Sequence, residues 1–341
     1  MEPMVHGEVS TDGWTTKVHQ HPLLDHSRFA PDAFLNRGRA WPQNPADRPW
    51  FDQAGASERV ADMRRKGLVT EEEERFMLQW VNEGYFVMER AIDASRFDLL
   101  DAYNRGLDDV WTSTEVLDGL QISGLRVDGV KRSPIPHAEL LSWPIEKRIH
   151  LRDTETWRIH YYQPYTAPGI EIAKTQRLVR MCALLLQQDP VLLNLTTYKY
   201  SSEVALHQDM WFYHLHPANF LVGIWLACED VSMDTGPLAV YPGSQRVPMW
   251  SGFPNYPQTN YRTCPPSAYD DVEAYLRTQV VDTSRIILPV KKGDAIFLNG
   301  LVVHDAEKVR KRGVHSRFSI VLHYTVPGAN KFAEVEGPFN Y

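Results

Sequence analysis

Apolar and polar positions along this chain follow two different periods, and the switches between them mark its elements. From Ile170 to Gln188, Ile172, Leu178, Met181, Cys182 and Leu185 recur every three or four residues, which predicts one amphipathic helix ended by Asp189-Pro190. Thr70 and Glu73 have capping-box spacing, and Phe76, Met77 and Trp80 supply the apolar stripe of a helix behind them. A further helix is predicted from about Asp93 to Asp109, with Phe97, Leu100 and Leu107 turned inward. Elsewhere the period is two or the run is wholly apolar. Gly84 to Met88, Arg158 to Gln163, Val191 to Tyr200, Phe220 to Leu226, a short buried run after the Gly-Asp turn within Lys292 to Gly300, and Ser316 to Tyr324 read as strands. Residues 1–66 show neither period but carry isolated aromatics such as Trp14, Trp41, Trp50 and Phe51. They read as an extended arm packed by its aromatics, or as a lid or homodimer contact, ahead of one domain over residues 67–341.

Candidate chemistry gathers behind the strand that ends near Tyr200. In Leu206-His207-Gln208-Asp209, an extended backbone aims His207 and Asp209 the same way and Gln208 the other. One imidazole and one carboxylate are two of the three protein ligands of a facial triad, the set that holds non-haem Fe(II) with positions left open. His-x-Asp alone is a weak signal. A distant His304, after the Gly-Asp turn and short strand within Lys292 to Gly300, offers the third ligand. His214 and His216 share a face and rival His207, but only His207 has a carboxylate two residues on. Farther along, Arg317 and Ser319 lie on one face of a strand. A guanidinium with a hydroxyl beside it suits the far end of a buried dicarboxylate. The combination is far more specific than any of its parts, and it points to a metal that works with a 2-oxoacid.

These residues resemble the phytanoyl-CoA dioxygenase-like branch of Fe(II)/2-oxoglutarate oxygenases. The resemblance rests on His207-Gln-Asp209, on the Gly-Pro-Leu…Pro-Gly-Ser segment within Asp234 to Ser244, on His304 and on Arg317; with Asn82 to Met88 it covers about residues 70 to 330. It implies a mainly β fold with flanking helices, a double-stranded β-helix (jelly roll, cupin-like) core. It also implies His207, Asp209 and His304 as ligands of Fe(II), 2-oxoglutarate chelated to that iron with its far carboxylate on Arg317 and Ser319, and O2 as the oxidant. Thr196 or Tyr198 would hydrogen-bond the 2-oxoglutarate chain if their face looks inward. The expected outcome is hydroxylation of an unactivated C–H bond of a small-molecule substrate, with release of succinate and CO2. Asp209 favours that outcome, because related halogenases carry a small residue there to admit chloride. Desaturation or ring formation on the same centre is the alternative within enzymes. A cupin-like metal- or sugar-binding module without turnover is the alternative outside them, and Arg317 with Ser319 argues against it.

Residues for the substrate are less sharply marked. Trp211, Phe212 and Tyr213 follow the ligands directly and would wall the cavity, or merely pack. Arg132 and His137, in the basic, proline-stiffened stretch Lys131 to His137, would clamp an acidic group, or lie on a solvated loop. The polar and aromatic stretch 245–280 is long for a connection between strands and is a candidate lid. A net charge of −7 without a long basic run argues against nucleic acid as a partner. No apolar run is long enough for a membrane span or opens the chain as a signal peptide. Cys182, Cys228 and Cys264 lack metal-site spacing and read as reduced thiols, so a cytoplasmic protein is expected.

Overall fold

Two antiparallel sheets face each other across an apolar interior. In the computed structural model, which describes residues 48–331 except 202, 214, 217, 249, 251, 253–266, 311–313 and 328, the strands that matter for the site are nine. They are β1 (Tyr85–Met88), β2 (Arg158–Ile159), β3 (Val191–Tyr198), β4 (Val222–Ala227), β5 (Leu238–Val240), β6 (Ile286–Leu288), β7 (Ala295–Asn299), β8 (His304–Ala306) and β9 (Ser319–Thr325). The larger sheet has the order β1-β7-β4-β9-β3-β2 and the smaller β6-β5-β8. Alternation along each strand decides which residues go where. Trp225, Ala227, Ile296 and Leu298 of the larger sheet meet Leu238, Val240 and Leu288 of the smaller one in a single buried cluster. Fully burying each such side chain contributes roughly 1.5–3 kcal/mol, so this interior holds the sheets together. The alternate residues, including Ile224, Leu226, Phe297, Ile320 and Leu322, face outward into the helical layer.

That layer is built from α1 (Ala56–Arg65), α2 (Glu71–Glu83), α3 (Phe97–Thr112) and α4 (Gln176–Leu186). Two more helices lie near the site: α5 (Asp209–Tyr213) and α6 (Ala268–Gln279). The capping box before α2 forms as its spacing predicts: Glu73 N donates to Thr70 Oγ1 at 3.2 Å, and Thr70 N to Glu73 Oε2 at 2.8 Å. At its other end Gly84 takes φ 81°, and a side chain there would also strike Gln245. The predicted helix from Asp93 begins with a short 3-10 turn, which the Asp93 carboxylate caps through Ser95 N, before α3 proper.

Four expectations change. The helix expected over Ile170 to Gln188 is two, Ala167–Ala173 and α4, because the chain turns at Lys174 and Thr175. Part of the arm read as aperiodic is helical: α1 packs Val60 and Met63 into the core, and its many charged residues had hidden that narrow stripe. Of the arm's aromatics, Trp50 and Phe51 are buried, Trp50 donating from its indole to Leu185 O; residues 1–47 lie outside the described residues. In the stretch read as a lid, residues 268–279 form α6, while 253–266 lie outside the described residues. The Lys131 stretch is less of a loop than expected, since Val130–Arg132 pairs with Leu125–Val127 and Ile135–Pro136 with Gln121–Ile122.

Cys182 and Cys228 are buried free thiols. Among the described residues no helix is long and apolar enough to cross a membrane.

The arm's inner end supplies a pH-dependent contact. Asp52 accepts a 2.7 Å hydrogen bond from Asn219 Nδ2, and burial pushes its carboxyl up to about 6 against the opposing pull of that bond and of Arg48. A carboxyl raised in the folded state costs stability progressively as pH climbs from its unfolded value through the folded one. The prediction is that Asp52→Asn, which can still accept from Asn219, raises the melting temperature more at about pH 8 than at about pH 5. Equal gains at both pH values would show that the Asp52 carboxyl is not raised.

Candidate metal centre

Two segments remote in sequence meet in a reciprocal backbone pair: His207 N donates to His304 O, and His304 N to His207 O, each at 3.0 Å. The paired backbones bring the two imidazoles together, ring centroids 4.2 Å apart. Gln208 points the opposite way, as expected, and locks the segment by donating to Leu301 O at 2.8 Å. Asp209 departs from the expectation of a continuing strand. It is the first residue of α5, so a helical turn rather than strand alternation returns its carboxylate to the histidines. Met210 N donates to Gly300 O and fixes where that turn begins.

His207, Asp209 and His304 are buried, and their donor atoms lie within 4.8 Å of one another. Each histidine uses Nδ1 on a backbone carbonyl, His207 on Ala205 O at 2.7 Å and His304 on Val302 O at 3.0 Å. With Nδ1–H spent on the carbonyl, Nε2 keeps its lone pair for the centre, the arrangement common to metal-bound histidines. The two Nε2 atoms stand 3.7 and 3.8 Å from the same oxygen, Asp209 Oδ1. Burial, aided by His304, pushes the His207 imidazole down to about 3. Burial would raise the Asp209 carboxyl, but His304, His323 and His207 together hold it well below the usual carboxylate range. Two imidazoles that present Nε2 and one ionised carboxylate, buried together, fit a divalent cation such as Fe(II).

A second polar region lies on the same inward face. Arg317 precedes β9, is only 1% exposed, and packs its guanidinium over the Trp225 ring at 5.1 Å. One of its nitrogens donates to Gly236 O, while its Nε and the Ser319 Oγ are buried without a hydrogen-bond partner among the described residues. Among the described residues no carboxylate forms an ion pair with Arg317. Burial accordingly pushes this guanidinium down to about 10. A buried cation with unmet donors beside an unmet hydroxyl fits a carboxylate from outside the chain.

Tyr198 pairs with Ser319 on one side and Arg158 on the other, so all three share the inward face. Its phenol is raised, first by burial and also by the Asp209 charge, while Arg158 and Arg317 pull it the other way. Thr196 faces inward too, but its hydroxyl is already engaged by Asn194 at 2.9 Å and His160 at 3.1 Å. Phe212 meets the His207 ring edge-on at 5.1 Å. Trp211 is buried against Val272 and Leu276 of α6, and Tyr213 joins a buried hydrogen-bond chain. Arg132 and His137 are engaged elsewhere. Arg132 pairs with Glu139 at 2.6 Å, and both His137 ring nitrogens serve the backbone of Leu117 and Val110. His214 and the His216 side chain lie outside the described residues.

One residue at the centre escaped the sequence reading. His323 sits 3.2 Å from Asp209 Oδ2. The signal was present, since His323 continues the period-two series of Arg317 and Ser319, but nothing tied a third histidine to this centre before its neighbours were placed.

A family model described as phytanoyl-CoA dioxygenase (PhyH) matches residues 144–317, more than half of the chain. The chain belongs to the PhyH family. Within it, the rat peroxisomal phytanoyl-CoA dioxygenase is 27% identical over 173 residues, 49% of this PhyH chain and 42% of the rat protein. The alignment thus spans less than half of that relative. Among solved structures, the non-haem α-ketoglutarate-dependent carbocyclase SnoK from nogalamycin biosynthesis is 16% identical, with a TM-score of 0.53 over 79% of this chain and 88% of its own. EctD from S. alaskensis, solved with 2-oxoglutarate and 5-hydroxyectoine, is 14% identical, with a TM-score of 0.52 over 80% and 82%. At such identities the likeness concerns the fold, and it bears out the double-stranded β-helix expected of a PhyH protein.

Proposed function

We propose that this PhyH-family chain is an Fe(II)- and 2-oxoglutarate-dependent oxygenase that hydroxylates an unactivated C–H bond of a small molecule. The observation that carries the reading is the pairing of two unmet sites on one buried face. His207, Asp209 and His304 converge as cation ligands, and Arg317 with Ser319 waits for a carboxylate. A metal-binding module without turnover has no use for the second site. The reading is supported by the shared fold of SnoK and EctD, by their descriptions an α-ketoglutarate-dependent carbocyclase and a protein solved with 2-oxoglutarate and 5-hydroxyectoine.

In this reading His207, Asp209 and His304 hold the iron, and Arg317 with Ser319 orients the cosubstrate by its far carboxylate. When bound, iron and 2-oxoglutarate supply the oxidising power: substrate, 2-oxoglutarate and O2 give hydroxylated product, succinate and CO2, one oxygen atom going to each organic product. The remaining work belongs to the chain. Trp225 packs against the Arg317 guanidinium and keeps bulk water from its charge. Phe212 packs against His207 and narrows the space for a substrate there. Asp209 fills the ligand position with a carboxylate, which supports oxygen transfer over halide transfer.

The test is anaerobic addition of Fe(II) and then 2-oxoglutarate to the full chain, followed by visible absorption. A weak charge-transfer band that needs both components is the expected result. Iron binding without the band would favour the binding module. With substrate candidates in air, succinate release matched by a product heavier by one oxygen supports hydroxylation; a product lacking two hydrogens would make desaturation or ring closure the reaction.

A further inference from the structure

The two oxygens of Asp209 have different partners. Oδ1 faces His207 and His304, whereas Oδ2 faces His323 Nε2 at 3.2 Å. His323 lies on β9, with Gly223 opposite it on β4 and Asn194 opposite it on β3. The β3–β9 register slips immediately after His323, a bulge of the kind that re-aims side chains beside functional sites.

The proton on His323 can be placed by following the hydrogen bonds inward. Tyr161 N donates to Asn194 Oδ1 at 2.9 Å, which fixes the amide so that its Nδ2 points into the core. That nitrogen has only hydrogens to offer, and it donates to the Tyr213 hydroxyl at 2.8 Å. The Tyr213 hydroxyl keeps its own hydrogen available for His323 Nδ1, 2.9 Å away. With Nδ1 accepting, a neutral His323 carries its hydrogen on Nε2, directed at Asp209 Oδ2. The ionised Asp209 Oδ2 can only accept, which independently calls for a hydrogen on His323 Nε2. Room for this arrangement comes from Gly223, where a Cβ would stand 3.0 Å from Asp209 Oδ2.

We infer that His323 is a positioning residue: it ties Oδ2 down and leaves Oδ1 alone to the metal. The Tyr213–Asn194 pair sets the tautomer that makes this possible. A carboxylate without the tie can rotate, or offer both oxygens and occupy a position that cosubstrate or O2 needs. The inference rests on the proposal that His207, Asp209 and His304 hold the metal.

The experiment is anaerobic titration with Co(II), whose visible bands report both affinity and coordination, alongside melting of the metal-free protein. His323→Leu is expected to weaken Co(II) binding by about 10–100-fold and to change the band shape, as loss of an outer partner does at metal sites. His323→Gln, which places an N–H near the Nε2 position, should recover both affinity and band shape, with metal-free melting similar in the two variants. Gly223→Ala, which crowds Oδ2 without removing any hydrogen-bonding group, should reproduce the altered bands even if the leucine variant fails to fold. If wild type binds Co(II), His207→Ala does not, and the leucine and alanine variants match wild type, the positioning role is overturned while the metal site stands. If Gln fails as Leu does, the role of the N–H is overturned. If wild type itself fails to bind Co(II), the site reading and this inference fall together.

Discussion

Replacing His304 with alanine is expected to abolish tight Fe(II) binding while the sheets stay folded. The side chain contributes one of three donors to the centre, whereas its backbone contributes the pair with His207, which alanine keeps. Removing even an outer partner of a ligand typically costs about 10–100-fold in metal affinity, so losing a ligand itself should cost more than about 100-fold. Anaerobic iron titration with circular dichroism on the same samples checks this. Affinity close to that of wild type, in a folded variant, would place the iron elsewhere and remove His304 from the ligand set.

Arg317→Leu is expected to separate cosubstrate from metal. Truncating one member of a buried, hydrogen-bonded charge pair costs roughly 2–5 kcal/mol, so the KM for 2-oxoglutarate should rise by about 30-fold or more while Fe(II) affinity changes little. The metal-free protein should behave differently. There the guanidinium is buried with no carboxylate partner among the described residues, and an apolar replacement relieves that desolvation cost. The leucine variant should therefore melt no lower than wild type without ligand, yet lose the stabilisation that 2-oxoglutarate gives wild type. An unchanged KM would move the anchor to another cation, with Arg158 on the same inward face the next to test.

Much of this was legible in the sequence because the relevant constraints are local. His207 and Asp209 are two residues apart, Arg317 and Ser319 likewise, and Thr70 with Glu73 marks a helix start by spacing alone. What stayed hidden depends on how segments meet. The turn of helix at Asp209 is fixed partly by Met210 N on Gly300 O, a contact across the fold that no short pattern encodes. The break in the long helix at Lys174 and Thr175 falls where the apolar period runs on across it. His323 looked like an ordinary inward residue until Asp209 was set beside it. Tyr213 shows the same limit: the residue read as a substrate wall or packing hydrogen-bonds His323 and Asn194 behind the centre.

The reciprocal bond pair between His207 and His304 works as a clasp. Because it closes at the ligands themselves, the distance between the imidazoles does not depend on the length of chain between them. Connections inside that span that do not pack on the two histidine segments can lengthen or shorten without moving the imidazoles apart; α6 is the exception, since its Val272 and Leu276 pack with Leu206 and Val303. A slip of one residue within the clasp, by contrast, would turn an imidazole to the other face. If His207 and His304 hold the metal as proposed, connections remote from the clasp can change while the imidazoles keep their spacing. Swapping those connections between relatives should leave the metal site intact.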